Sequence, residues 1–171
     1  MSYLHLRSGR ARKPNALRIL NQFLSDLEEH SGATVQVDTG ESPGTGMGVS
    51  IAPQRCCVFS EMPTPDEVME FVFTNIDYLE QDDLYLGGWR DADDGRWYLD
   101  ITRVVLGPLA AASLARLHGQ KAIYNFDSHN VIEVKDVYKS YRISAGAVVL
   151  TRASPASPSR TTASGASTTT G

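Results

Sequence analysis

Asp100 is the residue with the clearest chemical potential in this chain, because it interrupts an apolar strand pattern, Trp97-Tyr98-Leu99-Asp100-Ile101-Thr102. Alternation turns its side chain away from Leu99 and Ile101, where a carboxylate could act as a general base. No acid or histidine at a recognisable spacing can be assigned to it as a partner. Asp91-Ala-Asp93-Asp94-Gly95 faintly resembles a calcium loop. A calcium-binding EF-hand needs glycine at position 6 and glutamate at position 12. Here glycine arrives at position 5 and Thr102 stands at position 12, so a solvated turn is expected.

Other chemistries fit less well. The glycine loop from Gly40 to Gly48 carries neither the lysine of a phosphate loop nor the spacing of a dinucleotide fingerprint. His5, His30, His118 and His129 show no paired ligand spacing. Cys56 and Cys57 are adjacent and point to opposite faces of a strand, so they are expected as two reduced thiols. No GxSxG nucleophile elbow occurs. No catalytic residue, metal or cofactor is therefore expected, and an enzyme using Asp100 stands as an alternative. Trp89, Trp97 and Tyr98 could stack on bases, but the surrounding acids favour ordinary cross-strand packing.

Elements that would position these residues can be read locally. A helix is expected from about Asn15, with Leu17, Leu20, Phe23, Leu24 and Leu27 on its apolar face and Gly32 at its stop. Short strands are expected at Thr34–Val37, Val49–Ile51 and Cys57–Phe59, the last two broken at Pro53. Thr64, Pro65 and Glu67 have the spacing of a capping box and predict a helix over 65–79. Asp94-Gly95 between aromatic runs predicts a hairpin, with Trp89 and Trp97 mostly buried. A third helix is expected over 109–118, ending at Gly119. A second hairpin should turn at Asp127–Asn130, and Ala147–Leu150 should add a strand. The sum is an α+β fold: an antiparallel sheet built from two hairpins with helices packed on one face.

The 171 residues suffice for one ordinary domain, placed at 15–150 with its core at 64–134. Residues 1–14 read as a basic flexible arm. Residues 152–171, rich in Ser, Thr, Ala and Pro, are expected to be disordered. No apolar run approaches the ~20 residues of a membrane span, and no secretory signal is visible, so an intracellular location is expected.

Charge is distributed unevenly. Twelve acids lie between Glu61 and Asp100, opposed by Arg90 and Arg96, although the whole chain has a net charge of only -4. Such a segment should repel duplex DNA. Glu80, Asp82, Asp83, Asp91, Asp93 and Asp94 are the candidate partner-binding residues, suited to a basic protein partner. The oligomeric state is left open.

The pattern Leu86-Gly87-Gly88-Trp89-x-Asp91, followed by Gly95-x-x-Tyr98-Leu99-Asp100-x-Thr102, resembles a small domain of actinobacterial phages and integrated mobile elements. The similarity covers roughly Thr64 to Val134 and includes the alanine-rich helix and the segment Gln120–Asn125. It implies no activity and no catalytic residues. It suggests a non-enzymatic accessory or protein-interaction protein, located in the host cytoplasm, or in the virion if structural. Alternatives are a DNA-mimic inhibitor, a virion component and the enzyme using Asp100.

Overall fold

The computed structural model describes residues 13–151, so most of the basic arm and the whole Ser/Thr-rich tail lie outside the described residues. Lys13 and Pro14, assigned to the arm from sequence, already belong to helix α1, Lys13–His30. Its apolar stripe does what amphipathic spacing demands: Ile19, Leu20, Phe23 and Leu27 are buried, whereas Leu17 is half exposed. The helix stops differently from expectation. Ser31 takes the left-handed conformation at φ 58°, and Gly32 already opens strand β1, Gly32–Val35.

Strand β2 (Met47–Ser50) and strand β3 (Cys57–Phe59) flank a 3-10 turn at Pro53–Arg55. The capping box is present in full at helix α2, Pro65–Thr74. Glu67 N–H donates to Thr64 Oγ1 at 3.4 Å, and Thr64 N–H donates to Glu67 Oε2 at 2.8 Å. The helix expected over 65–79 breaks at Asn75, and a short helix α3 (Ile76–Leu79) follows. Asn75 is buried, and its Nδ2 donates to Phe71 O at 2.8 Å, competing with the regular backbone ladder.

The long hairpin is strand β4 (Leu84–Arg90) with strand β5 (Trp97–Val105). Helix α4 (Pro108–Leu117) leads to a second hairpin, β6 (Ala122–Asn125) and β7 (Asn130–Glu133). The strand expected at Ala147–Leu150 is instead helical, part of helix α5, Val134–Thr151. Short apolar runs suit either state, and length decides here for the helix.

The fold class is α+β, with a curled antiparallel sheet in the order β1-β4-β5-β2-β6-β7 and β3 on β5. The two hairpins are not neighbours, because β2 separates them. On one face of the sheet, Leu84, Leu86, Leu99, Ile101 and Val49 are almost completely buried, as are Phe23 and Leu27 of α1 and Val68 of α2. Burial of each such side chain contributes roughly 1.5–3 kcal/mol, which fixes the register of β4 and β5. Alternation then sends Gly87, Trp89, Tyr98, Asp100 and Thr102 to the opposite face, where the functional question lies.

Candidate functional site

One long strand, β5, organises the site. Its outer edge is covered twice, by β2 over Thr102–Val105 and by β3 over Trp97–Leu99. Ile51 N–H still donates to Ile101 O at 3.0 Å, extending the first ladder by one residue. Ala52 to Cys56 then leave the sheet, so the edge opens opposite Asp100. Pro53, which has no N–H to give a ladder, starts the excursion. Arg55 anchors it at the α2–α3 break. Its guanidinium bonds Asn75 Oδ1 at 3.2 Å, pairs with Asp77 at 3.2 Å and stacks over the Tyr78 ring at 4.6 Å.

The opening is a cavity of about 260 Å³. Ser50 comes from β2, Pro53 and Cys56 from the excursion, Val58 from β3, and Trp89 from β4. Tyr98 and Asp100 come from β5, and Gln120 from the α4–β6 connection. Trp89 and Tyr98 are cross-strand partners, with rings stacked at 4.4 Å and 14° between planes. The expectation that both tryptophans are mostly buried fails at Trp89, which is 40% exposed, while Trp97 packs partly buried against the core. The reason is the period of two: Trp89 lies on the face opposite the one that packs on Phe23 and Leu27.

Asp100, on the face away from Leu99 and Ile101, is buried. Thr102 Oγ1 donates to its Oδ1 at 2.6 Å, and the side chains of Trp89 and Ser50 also donate to it. Burial raises its pKa above the ordinary aspartate value, against the pull of these three donors. Cys56, in the same cavity, has its thiol pushed up to about 11, first by burial and then by Asp100 and Cys57. Burial also raises Cys57, so neither cysteine is an activated thiolate. Histidine, lysine and arginine are missing from the residues that line the cavity.

The six acidic candidates are divided by the structure. Glu80, Asp82 and Asp83 precede β4, and Asp91, Asp93 and Asp94 follow it. Seven strand residues at ~3.3 Å each hold the groups ~23 Å apart. Asp83 pairs with Arg103 at 3.0 Å. Asp94 pairs with Arg96 at 2.6 Å and accepts from Tyr98 Oη at 2.8 Å. Hydrogen bonds from Arg96, backbone first, hold the Asp94 carboxyl below its usual range. Asp91 Oδ1 accepts from Asp93 N–H at 2.7 Å, closing the turn. Arg90 is exposed but folded back on the turn, its Nε donating to Gly95 O and its guanidinium lying over Trp97. The turn thus engages both arginines internally.

The glycine loop has a structural use. Asp127, from the β6–β7 turn, accepts from Gly46 N–H at 3.1 Å and from the Thr45 hydroxyl. The site where the loop could hold an anion is filled by the protein's own carboxylate. Among the described residues, no group of three or more His, Cys, Asp or Glu is placed to hold a metal ion. No described helix is long and apolar enough to cross a membrane.

Sequence reasoning missed Ser50, Cys56, Val58 and Gln120 as companions of Asp100. One signal was present: two adjacent glycines, Gly87 and Gly88, inside a strand mark close approach on both faces. Comparison with protein-family models, with curated proteins and with solved structures finds no match.

Proposed function

We propose that this protein is a non-enzymatic interaction module that binds a basic protein partner through the β4–β5 turn and the open face of the sheet beside it. The hydrogen bond from Tyr98 to Asp94 carries this reading. It makes the acidic turn continuous with the exposed Trp89–Tyr98 stack, and exposed aromatics beside carboxylates suit an interface anchored by cationic side chains. With Arg90 and Arg96 engaged inside the turn and Asp91 closing it, the exposed Asp93 is the carboxylate left to meet a partner. An accessory role in a phage or mobile element, in the host cytoplasm, accords with the resemblance of this hairpin. DNA mimicry would need carboxylates repeated along one face, and the ~23 Å gap along β4 gives it less support.

A peptide-display selection against the full chain tests the proposal. Wild-type protein should enrich Arg- and Lys-containing peptides at low salt and lose them as salt rises. The variant Asp93→Lys should weaken that enrichment while its thermal unfolding stays unchanged. Asp91 and Asp94 are left intact because both hold the turn. Enrichment of neutral or acidic peptides would overturn the reading.

A further inference from the structure

We infer that the cavity over Asp100 is the seat for a single arginine or lysine side chain of that partner. This inference rests on the basic-partner reading and adds the anchor. Asp100 is 6% exposed, and its three donors, Thr102, Trp89 and Ser50, are all neutral. None of the ion pairs among the described residues reaches it. A buried carboxylate is ordinarily paired with a cation, because neutral donors compensate lost hydration only in part. An ionised carboxylate offers about four acceptor positions, so three donors leave one direction open. Asp100 is among the residues lining a cavity of about 260 Å³, room for a guanidinium or ammonium group with its methylene stem.

The walls suit such a stem and head. Val58 and Pro53 offer apolar surface to the methylenes. The stacked Trp89 and Tyr98 rings stand at the cavity wall, where a cation gains from the ring quadrupoles. Gln120 also lines the cavity, and its amide carries an acceptor oxygen. The strand interruption at Ala52–Cys56 is what makes this space. With a continuous ladder from β2 to β3, backbone would run past Asp100 and leave no entrance. A cation would favour the charged form of Asp100, which burial disfavours, and a neutral polar ligand would not, so the cavity selects for positive charge rather than for polarity alone.

The probe is a capped peptide, Gly-Gly-Arg-Gly-Gly, compared with the same peptide carrying citrulline in place of arginine. The full chain is titrated with each at millimolar concentration, following the indole N–H resonance of Trp89 and the amide of Asp100. Arginine should shift both resonances, and citrulline should bind at least tenfold more weakly. Asp100→Asn should remove the difference between the two peptides. Val58→Arg, at an exposed position on the rim, should place a tethered guanidinium in the cavity and block the arginine peptide, whereas Val58→Gln should not. That pair decides the matter even if the Asp100 variant fails to fold. Equal binding of both peptides, or unimpaired binding to Val58→Arg, would overturn the inference. Shifts confined to Asp91–Asp94 would also overturn it, while leaving the interaction reading of the turn standing. Loss of all arginine-dependent shifts, turn included, would count against both.

Discussion

Gly87 stands directly opposite Asp100 in the β4–β5 ladder, and a Cβ on Gly87 would lie 2.4 Å from Asp100 Oδ1 and 2.4 Å from Thr102 Oγ1. The carboxyl and its hydroxyl donor therefore lie across bare backbone. Gly88 does the same service on the other face, where a Cβ would meet Phe23 Cζ at 2.7 Å. One glycine admits the polar site and its neighbour admits helix α1.

Gly87→Ala and Gly88→Ala should each destabilise the fold by ~1–3 kcal/mol, the usual cost of overpacking. Gly44→Ala, where an added Cβ meets nothing within 4 Å, is the control and should be near neutral. Urea denaturation of the three variants checks this. A Gly87→Ala protein as stable as the Gly44→Ala protein would show that Asp100 does not need the space.

Asp100 should also leave a mark on stability as a function of pH. Its folded pKa lies above the ordinary value of 3.8. The folded state therefore holds its proton where the unfolded chain has lost it. The resulting contribution is fully present below about 3.8 and is lost as pH rises through the folded pKa. Glu67, Asp94 and Asp127 have lowered values and act oppositely, their contributions fading as pH falls. Subtracting wild-type from Asp100→Asn stability isolates the one group. That difference should grow in favour of the variant as pH rises above about 4, then level off. A difference independent of pH would contradict the raised value.

The thiol of Cys56 should be slow to react. With a pKa of about 11, roughly one molecule in a thousand carries the thiolate at pH 8. Alkylation followed by peptide mass spectrometry should show Cys56 reacting far more slowly than a free cysteine. Its rate should rise with pH towards 11, and faster in Asp100→Asn, which lacks the neighbouring charge. Rapid modification at pH 8 would be the contrary result.

At the start of α2, Thr64→Ala removes the acceptor for Glu67 N–H and half of the capping box. A loss of ~1 kcal/mol is expected, read from denaturant unfolding. No measurable change would mean that the box contributes little beyond geometry.

The α2 cap was readable because Thr64, Pro65 and Glu67 act on one another within four residues. The β4–β5 hairpin was readable for the same reason, from Asp94-Gly95 and the alternation after it. Asp100's surroundings were not, since Ser50 is brought to it only by the pairing of β2 with β5, fifty residues apart in sequence. Nor does any local pattern reveal that β2 and β3, correctly read as pieces broken at Pro53, share one neighbour. Asn75 marks a different limit, because a buried amide taking a helical carbonyl is decided by what packs around it. The run at Ala147–Leu150 is too short for its pattern to tell strand from helix. The acidic residues read as one set lie within fifteen positions of sequence, but a strand sets them at its two ends.

The excursion at Ala52–Cys56 gives the molecule a part that can vary without disturbing its frame. Ladders on both sides of the gap are held independently, the first by Met47–Ile51 and the second by Cys57–Phe59. Residues added or removed between them would change the depth and width of the space over Asp100 while every strand kept its register. A family of such chains could therefore acquire different partners by altering one short segment, the sheet serving as a fixed mount for an interchangeable lip.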